Sequence, residues 1–122
     1  MSTYSHDLDV QIVPQGTAAV ARIAGNVDTV TADGLLTALR AAVADGHVRL
    51  VGDLSEVGYT SSAGLRALLG AMKDARSNGG DLRLAAVGDK VLKVLQLSGF
   101  TSILRLYPDV DAAVASYADE SQ

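Results

Sequence analysis

The chain has 122 residues, 48% of them hydrophobic, which suffices for one core and falls short of two ordinary domains. It contains no cysteine, which excludes disulfides and thiolate nucleophiles and fits a reducing cytoplasm. Its net charge of −4 argues against a nucleic-acid surface, and it has neither a secretory signal nor an apolar run of the ~18 residues that span a bilayer. We therefore expect a single cytoplasmic domain, with its core over about residues 8–117 and frayed ends, that binds neither nucleic acid nor membrane.

The first half of the chain predicts a hairpin followed by a helix. Apolar and polar residues alternate over residues 8–13 and again over 18–24, and a Pro-Gln-Gly turn separates the two runs. A loop follows at residues 25–28, where glycine and asparagine tolerate positive φ and an aspartate can cap the next helix. That helix is predicted over residues 32–44, because apolar residues recur there at helical spacing.

The second half predicts three strands that alternate with three helices. The strands are expected at residues 48–54, 81–87 and 103–107, and the helices at about 62–77, from 89 to 98, and from 109 onward. With the hairpin first and parallel strand–helix–strand units after it, this order predicts an α/β fold. The expected architecture is a mixed sheet of about five strands with four helices mainly on one face.

Arginines recur inside the predicted strands, where Arg22, Arg49, Arg83 and Arg105 alternate with apolar neighbours. A sheet covered on both faces would have near-continuous apolar strands. These positions therefore predict a sheet face left to solvent, with the arginine stems lying along it. An anion or acidic-partner site on that face is the alternative.

Three hydroxyl-bearing residues, Thr60, Ser61 and Ser62, separate the third strand from the central helix. Apolar residues recur at helical spacing from Leu65 to Met72, which marks the buried side of that helix. Serine and threonine favour helix starts, because a side-chain oxygen can accept from N–H groups that lack a partner inside the helix. Capping accounts for one of the three hydroxyls.

The sequence around these hydroxyls resembles a known signature. The pattern D-L-S-x-V-x-Y-x-x-S-x-G-L-x-x-L-L, read over residues 53–69, is similar to that of the STAS domain of bacterial anti-sigma factor antagonists. Residues 25–28 resemble the family's turn after its second strand, and residues 94–100 resemble its third helix. The resemblance covers nearly the whole chain and implies the STAS fold, which has the architecture predicted above.

In that family the serine at the position of Ser62 accepts a phosphate. The commonest version has an aspartate just before it, where this chain has Ser61, so Ser62 is favoured by its alignment to Gly64 and Ser61 is the fallback. The resemblance implies that the unphosphorylated form binds an anti-sigma factor serine kinase and frees the sigma factor. It also implies that phosphorylation ends binding and that a metal-dependent serine phosphatase of the PP2C type restores the hydroxyl.

The expected contact surface combines the loop after the second strand with the start of the central helix. The resemblance gives Asp28 a docking role, and a helix cap is the alternative for that residue. Arg66, one turn after Ser62, is either part of the contact surface or a solvated side chain. The expected partner-binding residues are Asn26, Asp28, Thr60, Ser61, Ser62, Gly64 and Arg66.

Two other functions are alternatives to binding controlled by phosphorylation. An enzyme is disfavoured, because the chain has no G-x-S-x-G elbow, P-loop, G-x-G-x-x-G or metal-ligand cluster, and both histidines, His6 and His47, fall in predicted loops. No cofactor or metal is expected. The second alternative is a STAS scaffold, or a ligand-binding or lipid-transport regulatory subunit, that is not a kinase substrate.

Overall fold

The computed structural model describes residues 2–5 and 8–120. Within these residues, strands and helices alternate after an initial run of three strands. The strands are β1 (Ser2–Ser5), β2 (Leu8–Gln15), β3 (Ala18–Gly25), β4 (Arg49–Glu56), β5 (Asp81–Ala85) and β6 (Leu106–Tyr107). The helices are α1 (Ala32–Ala44), α2 (Ser62–Ser77), α3 (Asp89–Leu97) and α4 (Val110–Glu120).

All of these strands form one mixed sheet in the order β1-β2-β3-β4-β5-β6. The first three pair antiparallel, and β3 to β6 pair parallel, which confirms the predicted hairpin and parallel units. All five predicted strands are present, and β1 adds an edge strand that the sequence did not predict. The fourth predicted strand ends at Ala85, because Ala86 has a φ of 56°, which extended backbone does not permit.

The last strand is shorter than the predicted 103–107 and begins only at Leu106. The preceding residues, Phe100–Ser102, form a 3-10 turn, and the N–H of Leu104 donates to the carbonyl of Phe100 at 2.9 Å. This turn buries Leu104 in the core. The prediction of extended backbone is therefore wrong at residues 103 and 104, because the buried Leu104 ends a turn, whereas the carbonyl of Arg105 accepts from the N–H of Leu84 beside β5.

Three helices, α1, α2 and α3, cover one face of the sheet, and α4 covers part of the other. The larger core, under the three helices, includes Ile23, Leu39, Leu50, Leu68, Leu84 and Leu95. The smaller core, under α4, consists of Ala18, Val20, Val51, Ala85, Ala113 and Tyr117. The prediction of four helices mainly on one face is confirmed.

The expectation of a solvated arginine face is wrong at Arg83, which is buried beneath α4. Its Nε lies 3.2 Å from Asp81 Oδ2, and its Nη1 donates to Ser116 Oγ at 2.8 Å. The guanidinium also stacks 4.0 Å from the ring centroid of Tyr117. Arg22, by contrast, is exposed. It lies on a part of the same sheet face that α4 does not cover.

Candidate functional site

The loops after β3 and β4 meet at the edge of the sheet where the parallel strands end. The N–H of Val27 donates to the carbonyl of Tyr59 at 3.0 Å, and the N–H of Ser61 donates to the carbonyl of Val27 at 2.7 Å. Val27 and Thr60 thereby form a parallel bridge beyond the named strands. Because carboxyl ends of parallel strands share one edge, this pairing brings the loop of Asp28 beside the start of α2.

The two adjacent serines have different environments. Ser61 is the N-cap of α2, with φ −89° and ψ 174°, and its Oγ accepts from the N–H of Gly64 at 3.2 Å. Ser62 is the first residue of the helix, and its side chain is exposed. Within residues 2–5 and 8–120 its hydroxyl makes no hydrogen bond. Capping therefore uses the Ser61 hydroxyl and leaves that of Ser62 available to solvent.

Gly64 lets the start of α2 pack tightly against both loops. A Cβ on Gly64 would overlap Thr60 Oγ1 and would lie 2.6 Å from Val27 Cγ1. Thr60 is itself buried, 3% exposed, and its Oγ1 donates to the carbonyl of Ser61 at 3.3 Å. Thr60 and Gly64 therefore support the surface around Ser62 from beneath.

We expect Gly64→Ala to lower the free energy of unfolding by about 1–3 kcal/mol, because the added methyl group forces the helix start away from both loops. Gly70→Ala is the matched control in the same helix, since its Cβ would meet Leu36 Cδ1 at an ordinary 3.4 Å. Alanine there should be neutral or stabilising, because glycine weakens a helix interior. Urea denaturation measures both effects, and equal changes in the two variants would contradict the close-packing explanation.

Asp28 closes the turn that precedes α1. Its Oδ1 accepts from the backbone N–H of Val30 at 2.9 Å and of Thr31 at 3.0 Å, and the Thr31 hydroxyl lies 3.2 Å away. The carbonyl of Asp28 accepts from the N–H of Ala32, and Thr31 Oγ1 donates to the carbonyl of Asn26 at 2.9 Å. The backbone N–H of Thr31, assisted by that of Val30, lowers the pKa of Asp28 from its ordinary value of 3.8. Asp28 thus holds the turn that leads into α1, whose own N-cap is Thr31, without a side-chain cap hydrogen bond.

The lowered pKa of Asp28 predicts a pH dependence of stability. A depressed pKa contributes stability that is present above the unfolded-state pKa and is lost as the pH falls through the folded-state pKa. Asp28→Asn keeps an acceptor oxygen but does not titrate. The difference in unfolding free energy between wild type and Asp28→Asn should be constant well above the ordinary pKa of 3.8 and should shrink as the pH falls through and below that value. Urea denaturation across this range measures it, and a difference independent of pH would show that the charge is irrelevant.

Arg66 and Lys73 extend the exposed surface along α2. Both side chains are exposed, on the same side of the helix as Ser62. Arg66 forms no ion pair within the part of the chain that the structure describes. Asn26 is also exposed, so Asn26, Ser62 and Arg66 contribute side chains to the surface at this edge.

Two exposed apolar residues at this edge were missed by the sequence analysis. Val30 is 76% exposed and Tyr59 is 51% exposed, one in each of the paired loops. Tyr59 is an aromatic position of the signature to which no role was assigned, and Val30 lies between the predicted loop at residues 25–28 and the predicted helix at 32–44. The available signal was a large apolar side chain placed between loop residues, where burial is not expected.

His47 follows α1 at the opposite end of the sheet from Ser62, and His6 lies outside the described residues. No group of three or more potential metal ligands occurs among residues 2–5 and 8–120. None of the helices in this part of the chain is long and apolar enough to cross a membrane.

A family model described as the STAS domain matches residues 9–113. The chain belongs to the STAS domain family. The resemblance inferred from the signature over residues 53–69 is thus confirmed. The mixed sheet with helices mainly on one face is the fold of this STAS domain.

Relatives of this STAS domain carry the name anti-sigma factor antagonist. One, BtrV of Bordetella bronchiseptica, is 37% identical over 98 residues, which cover 80% of this chain and 84% of that protein. The anti-sigma-B factor antagonist of Listeria monocytogenes is 30% identical over 84 residues, 69% of this chain and 74% of that protein. A crystal structure of an anti-sigma factor antagonist from Mycobacterium paratuberculosis matches with a TM-score of 0.81 at 29% identity, covering 89% of this chain and 92% of that one.

Proposed function

We propose that this STAS domain is an anti-sigma factor antagonist controlled by phosphorylation at Ser62. The unphosphorylated form binds an anti-sigma factor serine kinase in the cytoplasm and frees the sigma factor. The kinase then phosphorylates Ser62 and releases the domain, and a metal-dependent serine phosphatase of the PP2C type restores the hydroxyl. The chain is a ligand and a substrate in this cycle, and the catalytic chemistry belongs to its partners.

The proposal rests on the different environments of Ser61 and Ser62. Ser61 holds the helix cap at 3.2 Å from the N–H of Gly64, while the Ser62 side chain is exposed with no hydrogen bond in the described residues. An exposed hydroxyl at the positive end of a helix can receive a phosphate without losing an intramolecular contact. The names of the relatives supply the anti-sigma factor as the class of partner.

The proposed phosphoryl transfer from ATP to Ser62 forms one bond and breaks another. Ser62 Oγ forms a bond to the γ-phosphorus of ATP as the bond from that phosphorus to the bridging oxygen of ADP breaks. The hydroxyl proton passes to a base of the kinase, and ADP leaves. The phosphatase reverses the state by hydrolysing the ester with water, which releases inorganic phosphate.

Mapping of the phosphorylated residue tests the proposal. Each anti-sigma factor serine kinase of the source bacterium is purified and incubated with the chain and magnesium ATP, and the product is analysed by mass spectrometry. We expect one phosphate on Ser62, undiminished labelling of Ser61→Ala, and none on Ser62→Ala. Labelling of Ser62→Ala at the wild-type rate would contradict the assignment of the acceptor, and a chain that no kinase labels would contradict the proposed function.

A further inference from the structure

Among the side chains of residues 8–118, four large apolar ones are exposed, and two of them lie beside the candidate site. Val30 and Tyr59, 76% and 51% exposed, lie in the paired loops beside the start of α2. Leu97, 80% exposed, is the last residue of α3, and Ile103, 39% exposed, comes after it. Both lie at the opposite end of the sheet. Exposed apolar residues that gather beside a functional side chain mark an interaction surface more strongly than scattered ones do.

The backbone under both residues is held by hydrogen bonds. The N–H of Val30 donates to Asp28 Oδ1 at 2.9 Å, and the carbonyl of Tyr59 accepts from the N–H of Val27 at 3.0 Å. Their positions are therefore fixed before a partner arrives, and docking onto them orders little additional chain. Tyrosine, the residue type of Tyr59, is enriched among the hot spots of protein interfaces, and Val30 adds apolar area beside it.

The charges around this apolar pair define the partner further. Carboxylates outnumber cations at this edge, with Asp28, Asp33, Glu56 and Asp89 against Arg66 and Lys90. The whole chain has a net charge of −4. A complementary partner surface therefore has an apolar centre and a basic rim.

We propose that Val30 and Tyr59 are the apolar anchors for the anti-sigma factor, and that phosphate at Ser62 is excluded because the docked partner would bury it beneath an apolar surface. The inference rests on the proposed function and adds the contact residues and the physical cause of release. A phosphoserine carries a charge of roughly −1.5 to −2, and the single cation of Arg66, one turn away, offsets only part of it, so removing the phosphate from water remains strongly unfavourable. The basic rim pairs with the carboxylates outside the apolar centre.

Affinity measurements on anchor variants test the first part. The probe is the kinase that labels the chain in the mapping experiment, titrated by calorimetry with a non-hydrolysable ATP analogue. Val30→Ser and Tyr59→Ser should each raise Kd about tenfold or more. Leu97→Ser removes an equally exposed apolar side chain from the opposite end of the sheet and should leave Kd within about twofold. Urea denaturation of each variant verifies that it folds.

Salt dependence tests the second part. Between about 0.05 M and 0.5 M salt, the unphosphorylated chain should bind more weakly as its rim charges are screened. The ratio of the Kd values of the phosphorylated and unphosphorylated chains should stay constant within about threefold, because the desolvation of a buried phosphate depends little on added ions. A ratio that collapses at high salt would overturn the desolvation mechanism in favour of charge repulsion.

The possible outcomes separate this inference from the proposed function. If the anchor variants bind as wild type while phosphorylation still ends binding, the anchors are wrong and the switch stands. If phosphorylation leaves Kd unchanged, the proposed function fails. Sedimentation of the chain alone supplies the remaining outcome: we expect the same species for wild type and variants, and a wild-type dimer that Val30→Ser or Tyr59→Ser dissociates would assign the pair to self-association and overturn the inference.

Discussion

Ser62→Asp is expected to raise the Kd for the anti-sigma factor about 100-fold, because a carboxylate at this exposed position places a charge under the docked partner. Ser62→Ala should bind as well as the unphosphorylated wild type, since it removes a hydroxyl that has no partner in the described residues. Calorimetry or surface plasmon resonance with the purified kinase measures both.

Ser61→Asp is the matched control for this prediction, because it introduces the same charge one residue earlier. Aspartate is a favoured N-cap, and its carboxylate can accept from the N–H of Gly64 as Ser61 Oγ does at 3.2 Å. We therefore expect Ser61→Asp to bind within about threefold of wild type. An equal loss of binding in Ser61→Asp and Ser62→Asp would show that a negative charge at either position prevents binding, and that the effect is not specific to Ser62.

Asp81→Ala is expected to lower the free energy of unfolding by about 3–5 kcal/mol, because it removes a carboxylate that is hydrogen-bonded to a buried arginine. Asp81 Oδ2 lies 3.2 Å from Arg83 Nε, and Oδ1 accepts from Arg76 Nε at 2.8 Å and from the N–H of Leu82 at 2.9 Å. The side chains of Asp81 and Arg83 are 8% and 4% exposed, so solvent does little to replace the lost partner.

A second substitution separates the cost of keeping the buried guanidinium without Asp81 from the cost of lost packing. Arg83→Met in the Asp81→Ala background removes the buried guanidinium while filling most of its volume, and it should recover more than half of the lost stability. Urea denaturation of the two single variants and the double variant gives the coupling free energy. Additive losses would mean that the two residues do not depend on each other, which would contradict the ion-pair explanation.

The elements that the sequence predicted well are those whose own residues determine them. The alternation over residues 8–13 and 18–24 gave the β2–β3 hairpin, and the helical spacing after Ser62 gave α2 with its start at that residue. The hydroxyl triplet at residues 60–62 predicted a helix start, and the structure divides its roles between a buried Thr60, a capping Ser61 and an exposed Ser62.

The features that the sequence did not predict depend on distant parts of the chain. The alternation around Arg83 is the same as in a half-solvated strand, and only the packing of Tyr117, 34 positions later, makes it a buried one. The edge strand Ser2–Ser5 has no apolar alternation and forms by pairing with Leu8–Gln15. The last strand begins later than predicted, because the 3-10 turn at Phe100–Ser102 is followed by Leu104, which is buried in the core.

In the candidate site, the motif located the hydroxyl but not the surface around it. Gly64 and Thr60 were expected among the partner-binding residues. Both are buried beneath the exposed surface around Ser62, because the start of α2 packs on both loops. Val30 and Tyr59 were assigned no role and are the most exposed large apolar residues at this edge. Residue type alone does not separate an apolar loop residue that turns inward from one that turns outward, because backbone pairing between two loops decides it.

The dissociation constant of one protein sample, measured before and after complete phosphorylation at Ser62, tests the central claim most directly. The phosphorylated residue is verified by mass spectrometry, and the probe is the kinase-type anti-sigma factor that performed the modification. We predict tight binding and release of the sigma factor by the unmodified chain, and a Kd at least about 100-fold higher after phosphorylation. Equal Kd values for the two forms would contradict the account.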